Sequence, residues 1–343
     1  MSGLSDVAPS EQTADMVVPP ENPRETPVEV PRPEPRVRRL NIIGRRNLFF
    51  AFSLIIIIPG ILSMATKGFL LGIDFAGGTE FTITFADQPS VASVEDAVAA
   101  DPLTAGGTVI QAGGAGGYII RSLPLTPQQQ QIVEDHLTSR LGPMVGGAPQ
   151  QVIEVGGTIA RETIEFALLA LVLASAAILF LLAIRFRNVP GGWRAGFQFG
   201  GSALAALLHD VFLLTGLFSI MGKVLGWRIG EIDSLFVTAV LTVVGFSVHD
   251  TIVVFDRIRE NLRVSQRLSF EQVVNLSIMQ TAARSIITSF TVVLVLTAIL
   301  IAGGTTLKGF ALALLIGIVS GTYSSIFNAS PLLVVWRRVQ PLR

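Results

Sequence analysis

Six long apolar segments constrain the fold of this chain more than any other feature of its sequence. Each is about 20 residues long, the length that an α-helix needs to cross about 30 Å of hydrocarbon. Half of the residues are hydrophobic and only 15% are charged, a composition typical of membrane proteins. The predicted spans are residues 48–65, 164–184, 197–221, 232–254, 282–302 and 310–335. The sequence therefore predicts a polytopic α-helical membrane protein with six transmembrane helices.

The basic residues predict the orientation of these spans, because cytoplasmic loops of membrane proteins are enriched in Lys and Arg. With the N-terminus inside, the two short outer loops carry only Lys223, Arg228 and Lys308. The inner segments carry Arg36, Arg38, Arg39, Arg45, Arg46, Arg185, Arg187, Arg194, Arg257, Arg259, Arg263, Arg267, Arg337, Arg338 and Arg343. We therefore expect both termini in the cytoplasm. The first span lacks the usual small-residue cleavage site, so we expect it to remain as an anchor.

The segments outside the membrane differ in composition. Residues 1–44 contain many prolines and few large apolar side chains, and such a segment cannot bury enough surface to offset its chain entropy. We expect a disordered cytoplasmic tail there, with partner docking as the alternative. The predicted order is then a first transmembrane helix at 45–66, an outer domain at 67–158, the remaining five helices at 159–338 and a cytoplasmic end at 339–343.

The outer segment, residues 67–158, has the pattern of a small α+β domain. Strands are predicted at 79–85 and 151–155, and helices at 91–100 and 128–141. Two further short strands flank a glycine-rich turn at 113–117. The order β-α-β-β-α-β is that of the ferredoxin-like arrangement. The sequence therefore predicts one ferredoxin-like domain between the first two spans, on the periplasmic side.

A glycine-rich motif, GIDFAGGT, comes directly before the first predicted strand. Its spacing fits neither common nucleotide-binding glycine pattern, and no helix N-terminus is predicted there to hold an anion. We interpret it as a tight junction between the first span and the outer domain, where glycine permits backbone angles that other residues avoid. The motif residues are Gly72, Asp74, Phe75, Gly77, Gly78 and Thr79.

An ionisable pair, His249 and Asp250, lies inside the predicted fourth span. An ionised Asp in a bilayer costs about 2.5 to 3.5 kcal/mol on insertion scales, so such residues usually face the bundle interior and mark an ion or substrate path. Arg284 lies at a matching depth in the fifth span. A nearby cation favours the ionised carboxylate and apolar surroundings favour the neutral one. Asp250 and Arg284 are therefore either a site that exchanges protons or an inert pair that holds two helices together.

A second dipeptide of the same kind, His209 and Asp210, lies in the third span. It is either a relay that supplies protons to Asp250 or a buried hydrogen-bonding group that fixes helix packing. The two dipeptides lack the spacing of a zinc-binding HExxH helix, so no metal site is expected. The absence of cysteine excludes thiolate ligands and cysteine nucleophiles.

Two further patterns concern packing. Gly317 and Gly321 form a small-xxx-small step in the last span, which permits close helix contact either within the bundle or with a partner subunit. Apolar residues at near-helical spacing between positions 262 and 277 predict a helix along the cytoplasmic surface.

Several of these motifs carry a resemblance to a known family. They are GIDFAGGT at 72–79, LLHDVFLLTGLFS at 207–219, VGFSVHDTIVVFDRIREN at 244–261, QTAARSIITS at 280–289 and GTYSSIFNASPLL at 321–333. In order and spacing, over about residues 45–338, the chain resembles SecF, the protein-export membrane subunit of the SecDF complex in the resistance-nodulation-division superfamily. The proline-rich tail lies outside the resemblance.

The resemblance implies a subunit of the bacterial inner membrane that works with SecD and uses the proton motive force to pull unfolded preproteins from the SecYEG translocon. YajC is a further candidate partner, membrane lipid surrounds the chain, and no enzyme activity, cofactor or nucleic acid is implied. The family's essential carboxylate falls on Asp250 and its important arginine on Arg284. His249 replaces the family's usual Asn. Two alternatives are a passive assembly subunit and half of a small-molecule exporter.

Overall fold

The computed structural model describes residues 40–111, 116–265 and 267–341. Most of the predicted N-terminal tail lies outside the described residues. So do the centre of the predicted turn at 113–117 and the last two residues of the segment 339–343.

Within the described ranges, six helical segments are long and apolar enough to cross a membrane. This confirms the predicted six-helix architecture. In chain order, the first is α1 (Arg46–Lys67). The outer domain then contributes α2 (Ile73–Ala76), β1 (Gly78–Thr84), α3 (Val91–Ala99), β2 (Thr108–Gln111), β3 (Gly117–Ser122), α4 (Pro127–Leu141) and β4 (Gln151–Val155). The other membrane helices are α5 (Gly157–Arg185), α6 (Gly192–Ser219), α7 (Ser234–Val264), α8 (Phe270–Ala302), α9 (Thr305–Ser324) and α10 (Ser330–Val339).

The outer domain has the ferredoxin-like topology that the sequence predicts. Its antiparallel sheet has the strand order β2-β3-β1-β4, and α3 and α4 pack on one face of it. Ser90 caps α3 by accepting a hydrogen bond from the Ser93 amide, and Thr126 opens α4 with a capping box. Phe81, Ile83 and Ile120 are fully buried between sheet and helices. The domain therefore has a hydrophobic core of its own.

In the membrane bundle, α6 packs against α1, α5, α7 and α9. The contact between α1 and α6 is a backbone contact, because a Cβ atom at Gly60 would lie 2.8 Å from the Cα atom of Gly216. Small residues allow this approach, which dispersion forces stabilise in lipid. α6 thus lies in the middle of the bundle, and its polar residues Ser202 and Asp210 are buried against other helices.

Two membrane segments contain a π-helical turn. One, Ile220–Val224, follows α6, and the other, Ser325–Ala329, joins α9 to α10 within a single span. Such turns insert an extra residue and are frequent at functional sites. The second places Asn328 against Ser53 of α1, whose hydroxyl receives a hydrogen bond of 3.0 Å.

The prediction of a surface helix between residues 262 and 277 is wrong. α7 continues to Val264, and α8 begins at Phe270 and continues unbroken into the fifth span. Ser269 and Gln272 form a capping box at the start of α8. The apolar residues of this region belong to the ends of two spans, and Val273 and Val274 are buried in the bundle.

Candidate functional site

Asp250 lies near the middle of α7 and faces the bundle interior, where it is 3% exposed. Its Oδ2 atom has no hydrogen-bond partner among the described residues. The hydroxyls of Ser289 on α8 and Thr322 on α9 lie beside it and bond to each other at 2.5 Å. Buried carboxylate oxygens are normally hydrogen-bonded, so this oxygen is unusual, although the two neighbouring hydroxyls lie near enough to turn toward it.

Arg284 forms no ion pair with Asp250 in the described part of the chain, although α7 and α8 pack against each other. Its side chain is exposed on α8. The direct contact that the matching depths suggested is therefore not formed in this structure. A change of side-chain conformation or a partner subunit would have to bring the two charges together.

His249 also points away from the bundle interior. Its side chain is 72% exposed, and its Nδ1 atom lies 3.9 Å from Asp250 Oδ1, beyond hydrogen-bond distance. An exposed imidazole in the middle of a membrane span is unfavourable against lipid. This face of α7 is therefore better suited to a protein or water contact than to hydrocarbon.

Asp210, on α6, has the opposite environment from Asp250. It is 1% exposed, and both carboxylate oxygens accept hydrogen bonds. Oδ2 accepts from the hydroxyls of Ser247 (2.7 Å) and Ser324 (2.6 Å). Oδ1 accepts from Ser320 (2.6 Å) and lies 3.0 Å from His209 Nδ1. Asp210 therefore joins α6 to α7 and α9 through hydrogen bonds to three serine side chains.

The two aspartates belong to one polar zone between α6, α7, α8 and α9. Ser247, which donates to Asp210, lies one helical turn before Asp250 on α7. On α9, Ser320 and Ser324 face Asp210, and Thr322 lies beside Asp250. Hydroxyl groups both donate and accept hydrogen bonds. Among the described residues no hydrogen bond links the Asp210 group to the Ser289–Thr322 pair, so a proton path between the two aspartates stays a prediction.

The glycine step of the last span packs within the bundle. A Cβ atom at Gly317 would lie 2.1 Å from Val243 Cγ2, and one at Gly321 would lie 3.0 Å from Ser247 Cβ. Of the two alternatives that the sequence left open, the structure has the contact inside the bundle, between α9 and α7. This contact holds Ser320 and Ser324 close to Ser247.

The GIDFAGGT motif forms the junction between α1 and the outer domain, and it contains the short helix α2, which the sequence did not predict. Gly77 and Gly78 have φ angles of +69° and +116°. At Gly78, a Cβ atom would lie 2.2 Å from the Ser122 carbonyl oxygen, so no larger residue fits. Asp74 Oδ2 accepts a hydrogen bond of 3.0 Å from the Ser234 amide at the start of α7.

The neighbouring residues of the motif attach this junction to the membrane bundle and to the outer domain. Gly72 donates its amide to Ile232 O at 2.8 Å. Phe75 is buried with the membrane core, and the Thr79 hydroxyl accepts from the Leu125 amide at 3.0 Å. The motif thus connects the domain to the start of α7, the helix that carries Asp250.

A buried ion-pair triad, which we name the junction triad, reinforces this connection. Arg121 on β3 lies 2.6 Å from Glu80 on β1 and 2.5 Å from Glu231 in the loop before α7. Burial raises the pKa of Glu231 above its ordinary value, although Arg121 opposes that shift. Because the carboxylates flank one guanidinium, the triad is satisfied only while the domain is seated on the loop.

The sequence reasoning missed the junction triad and the three serines around Asp210. Serines 320 and 324 are spaced one turn apart and Ser247 precedes Asp250 by one turn, a signal that helical periodicity contains. The triad left no such signal, because its members come from three distant parts of the chain. In the described residues, no group of three or more His, Asp or Glu side chains is arranged to hold a metal ion.

Comparisons with known proteins agree with this architecture. A family model described as "Protein export membrane protein SecD/SecF, C-terminal" matches residues 147–339, and one for the "SecD/SecF GG Motif" matches residues 62–88. The protein translocase subunit SecF of Thermobaculum terrenum is 44% identical over 319 residues, which cover 89% of this chain and 96% of that protein. The chain belongs to the SecF family. The SecF subunit of Anaerolinea thermophila is 41% identical over 87% of this chain and 94% of its own length.

A solved structure extends the SecF relationship to three dimensions. SecDF of Thermus thermophilus, described as a translocon-associated membrane protein, matches with a TM-score of 0.76 and 30% identity over 88% of this chain. SecDF in a super-membrane-facing form matches with a TM-score of 0.61. This chain spans 39% of the length of those SecDF chains. It is therefore an integral membrane subunit of the protein translocase, a component of protein transport.

Proposed function

We propose that this chain uses the proton motive force, together with a SecD subunit, to pull unfolded preproteins across the bacterial inner membrane after they leave SecYEG. In this proposal Asp250 takes up and releases the proton, and Arg284 stabilises its ionised form at one stage of the cycle. Both termini are cytoplasmic, and the outer domain faces the periplasm. YajC is a further candidate partner of the assembly.

One observation supports this proposal best: Asp250 Oδ2, in the middle of a membrane helix, accepts no hydrogen bond from the described part of the chain. A purely structural aspartate has the environment of Asp210, with both oxygens accepting hydrogen bonds. Leaving a buried polar atom without a partner costs about 1 to 3 kcal/mol. Such a cost is expected at a site that alternates between two protonation states.

The energetics indicate that one proton on this chain is not enough. Moving one charge through the membrane field yields about 2.3 kcal/mol per 100 mV, whereas driving a two-state element from 1:99 to 99:1 takes about 5.5 kcal/mol. We assign the remaining free energy to a second proton, carried by an equivalent acid in the SecD partner. Arg284 is exposed on α8, where it can contact that acid. His249 is the alternative carrier within this chain, and a chemical proton gradient added to the voltage is a third source of the energy.

The experiment is gradient-driven preprotein export in membrane vesicles from cells whose only SecF is this chain. Asp250→Asn and Arg284→Ala are each expected to abolish the gradient-dependent part of export. Asp250→Glu, which keeps the acid but moves it by about one methylene, is expected to retain part of it. The matched control is His249→Asn, the adjacent residue, which restores the family's usual side chain and is expected to keep full activity.

The amount of each variant in the membrane is measured in parallel, so that loss of insertion is not mistaken for loss of coupling. Normal export by both Asp250→Asn and Arg284→Ala would reject the proton role and favour the alternative of a passive assembly subunit. Loss of export in His249→Asn would indicate that His249, and not the SecD partner, carries the second proton.

A further inference from the structure

A polar cavity lies at the arginine-rich end of the bundle, away from the Asp250 site. It has a volume of about 420 Å³ and opens between the first turns of α6 and the end of α10. Its lining residues are Arg194, Phe197, Gln198, Trp336, Gln340 and Pro341. It therefore combines a cation, amide groups and two aromatic rings at one end of the membrane helices.

Gln198 is a buried polar residue that lines this cavity, and its amide oxygen has no hydrogen-bond partner among the described residues. The residue is 4% exposed, its Nε2 atom donates to the Gln340 carbonyl at 2.9 Å, and its Oε1 atom has no partner among the described residues. Exchanging the amide nitrogen and oxygen of Gln198 would place Oε1 against the Gln340 carbonyl oxygen. The hydrogen bond to Gln340 therefore fixes the orientation of the amide. A buried amide oxygen normally accepts a hydrogen bond. Gln198 Oε1 is therefore an acceptor at the cavity wall that no described protein group uses.

Trp336 forms a rigid wall of the cavity. A Cβ atom at Gly201 would lie 2.4 Å from the indole ring, so the ring lies directly on the α6 backbone. Its Nε1 atom donates to Gln340 Oε1 at 3.3 Å. Trp side chains prefer the headgroup region of a bilayer. A cavity beside Trp336 is therefore expected at the level of lipid headgroups.

Several arginines lie near this position, but most of their guanidinium groups already contact other side chains. Arg337 stacks on the ring of Phe270 at 4.3 Å, and Arg338 pairs with Glu271. Arg187 lies over Trp193 at 5.7 Å, outside the cavity lining. Arg194 is exposed and forms no ion pair in the described ranges. Arg194 is therefore the cation that the cavity offers to an anionic ligand.

We propose that this cavity binds the headgroup of an anionic phospholipid that carries a hydroxyl group, as phosphatidylglycerol does. The lipid phosphate binds Arg194, and a headgroup hydroxyl donates to Gln198 Oε1. The acyl chains leave along Phe197, which is 54% exposed. Basic pockets between membrane helices are known sites for lipid headgroups. A choline headgroup fits worse, because it has no hydrogen-bond donor for the amide oxygen.

The test measures thermal unfolding of the purified full chain in neutral detergent with three added probes: phosphatidylglycerol, phosphatidylcholine and the water-soluble glycerophosphoglycerol. We expect phosphatidylglycerol alone to raise the Tm. Arg194→Gln is expected to raise the lipid concentration for half of this effect by at least tenfold. The matched control, Arg187→Gln, removes a nearby arginine outside the cavity and is expected to leave it unchanged.

A second variant tests the hydroxyl contact. Gln198→Leu is expected to remove the preference for phosphatidylglycerol over phosphatidylmethanol, which is also an anionic phosphodiester but has no headgroup hydroxyl. The proposal is overturned if Arg187→Gln weakens the effect as much as Arg194→Gln, since binding would then follow overall charge. An equal Tm rise with phosphatidylcholine would also overturn it. An equal Tm rise with glycerophosphoglycerol would also overturn it, because the site would then bind a soluble phosphodiester and not a lipid.

Discussion

At the scale of single residues, Asp210 and Asp250 show how environment separates two aspartates of similar burial. Asp210 has hydroxyl donors on both oxygens, from Ser247, Ser320 and Ser324. Asp250 has one oxygen that accepts no hydrogen bond within the described ranges. Asp210 therefore has the hydrogen bonds of a residue that holds helices together, whereas proton exchange by Asp250 stays a prediction. A relay role of His209 and Asp210 stays a prediction.

Asp210→Ala is expected to destabilise the chain strongly, because it removes the acceptor of three buried serine hydroxyls. Each buried group left without a partner costs about 1 to 3 kcal/mol. Ser320→Ala, which removes one hydrogen bond to a charged acceptor, is expected to cost about 1.5 to 3 kcal/mol. Thermal unfolding in detergent measures both. If Asp210→Asn unfolds like the native chain but loses gradient-driven export, the relay interpretation is favoured over the packing one.

At the scale of elements, the contact between α7 and α9 decides whether the polar zone exists at all. Val243 is 1% exposed and lies where a side chain at position 317 would begin. Because β-branched valine has little rotamer freedom in a helix, it cannot move aside easily. The glycine therefore sets the distance between the helices, and with it the hydrogen bonds from α9 to Asp210.

Gly317→Ala is expected to lower the stability of the bundle by about 1 to 3 kcal/mol, the usual cost of overpacking. The control Gly245→Ala lies on α7 where a Cβ atom meets nothing within 4 Å, so it is expected to be neutral or to stabilise by up to about 1 kcal/mol. Adding Val243→Ala to Gly317→Ala is expected to restore stability. Additive effects of these two substitutions in a double-mutant cycle would argue against the contact.

The junction triad links two other elements, the domain sheet and the loop before α7. The side chains of Glu80, Arg121 and Glu231 are 8 to 12% exposed. Removing one member of a buried ion pair is strongly destabilising, by about 3 to 5 kcal/mol, because it leaves an uncompensated charge. Arg121 is therefore the residue on which seating of the domain depends most.

The raised pKa of Glu231 predicts a pH dependence with a definite sign. Its folded-state pKa lies above the ordinary 4.5, so its contribution to stability is fully present below about pH 4.5 and declines as pH rises through the folded-state value. Glu231→Gln is expected to reduce this decline. Unfolding temperatures measured from pH 4 to pH 8 test it, with exposed Glu260→Gln as the control. An unchanged slope in Glu231→Gln would assign the pH dependence to another group, such as Asp233.

At the scale of the whole molecule, orientation in the membrane is the property that the export proposal depends on most. The helices and the domain are consistent with either orientation, because nothing in a helix bundle identifies its two sides. Only the distribution of arginine residues favours a cytoplasmic loop between α7 and α8.

Single cysteines test this orientation in a chain that has no native cysteine. Ser139 on α4 is exposed in the outer domain, whereas Ser265 lies in the loop after α7. An impermeant maleimide applied to intact cells, with the outer membrane permeabilised where one is present, is expected to label Ser139→Cys and not Ser265→Cys. The reverse labelling would invert the topology and place the outer domain in the cytoplasm.

The sequence by itself determined the six spans, the ferredoxin-like order of the outer domain and the family. These depend on local signals: apolar length, strand and helix periodicity, and motifs such as GIDFAGGT. It also identified Asp250 and Asp210 as unusual, because a charge inside an apolar run is visible without a fold.

Only the tertiary structure decided how these residues are used. It separated Asp210, with its serine donors, from Asp250, and it turned Arg284 and His249 outward. It also brought Glu80, Arg121 and Glu231 together. The physical reason is that hydrogen bonds and ion pairs act over about 3 Å between side chains far apart in the chain, and such distances depend on how the helices pack.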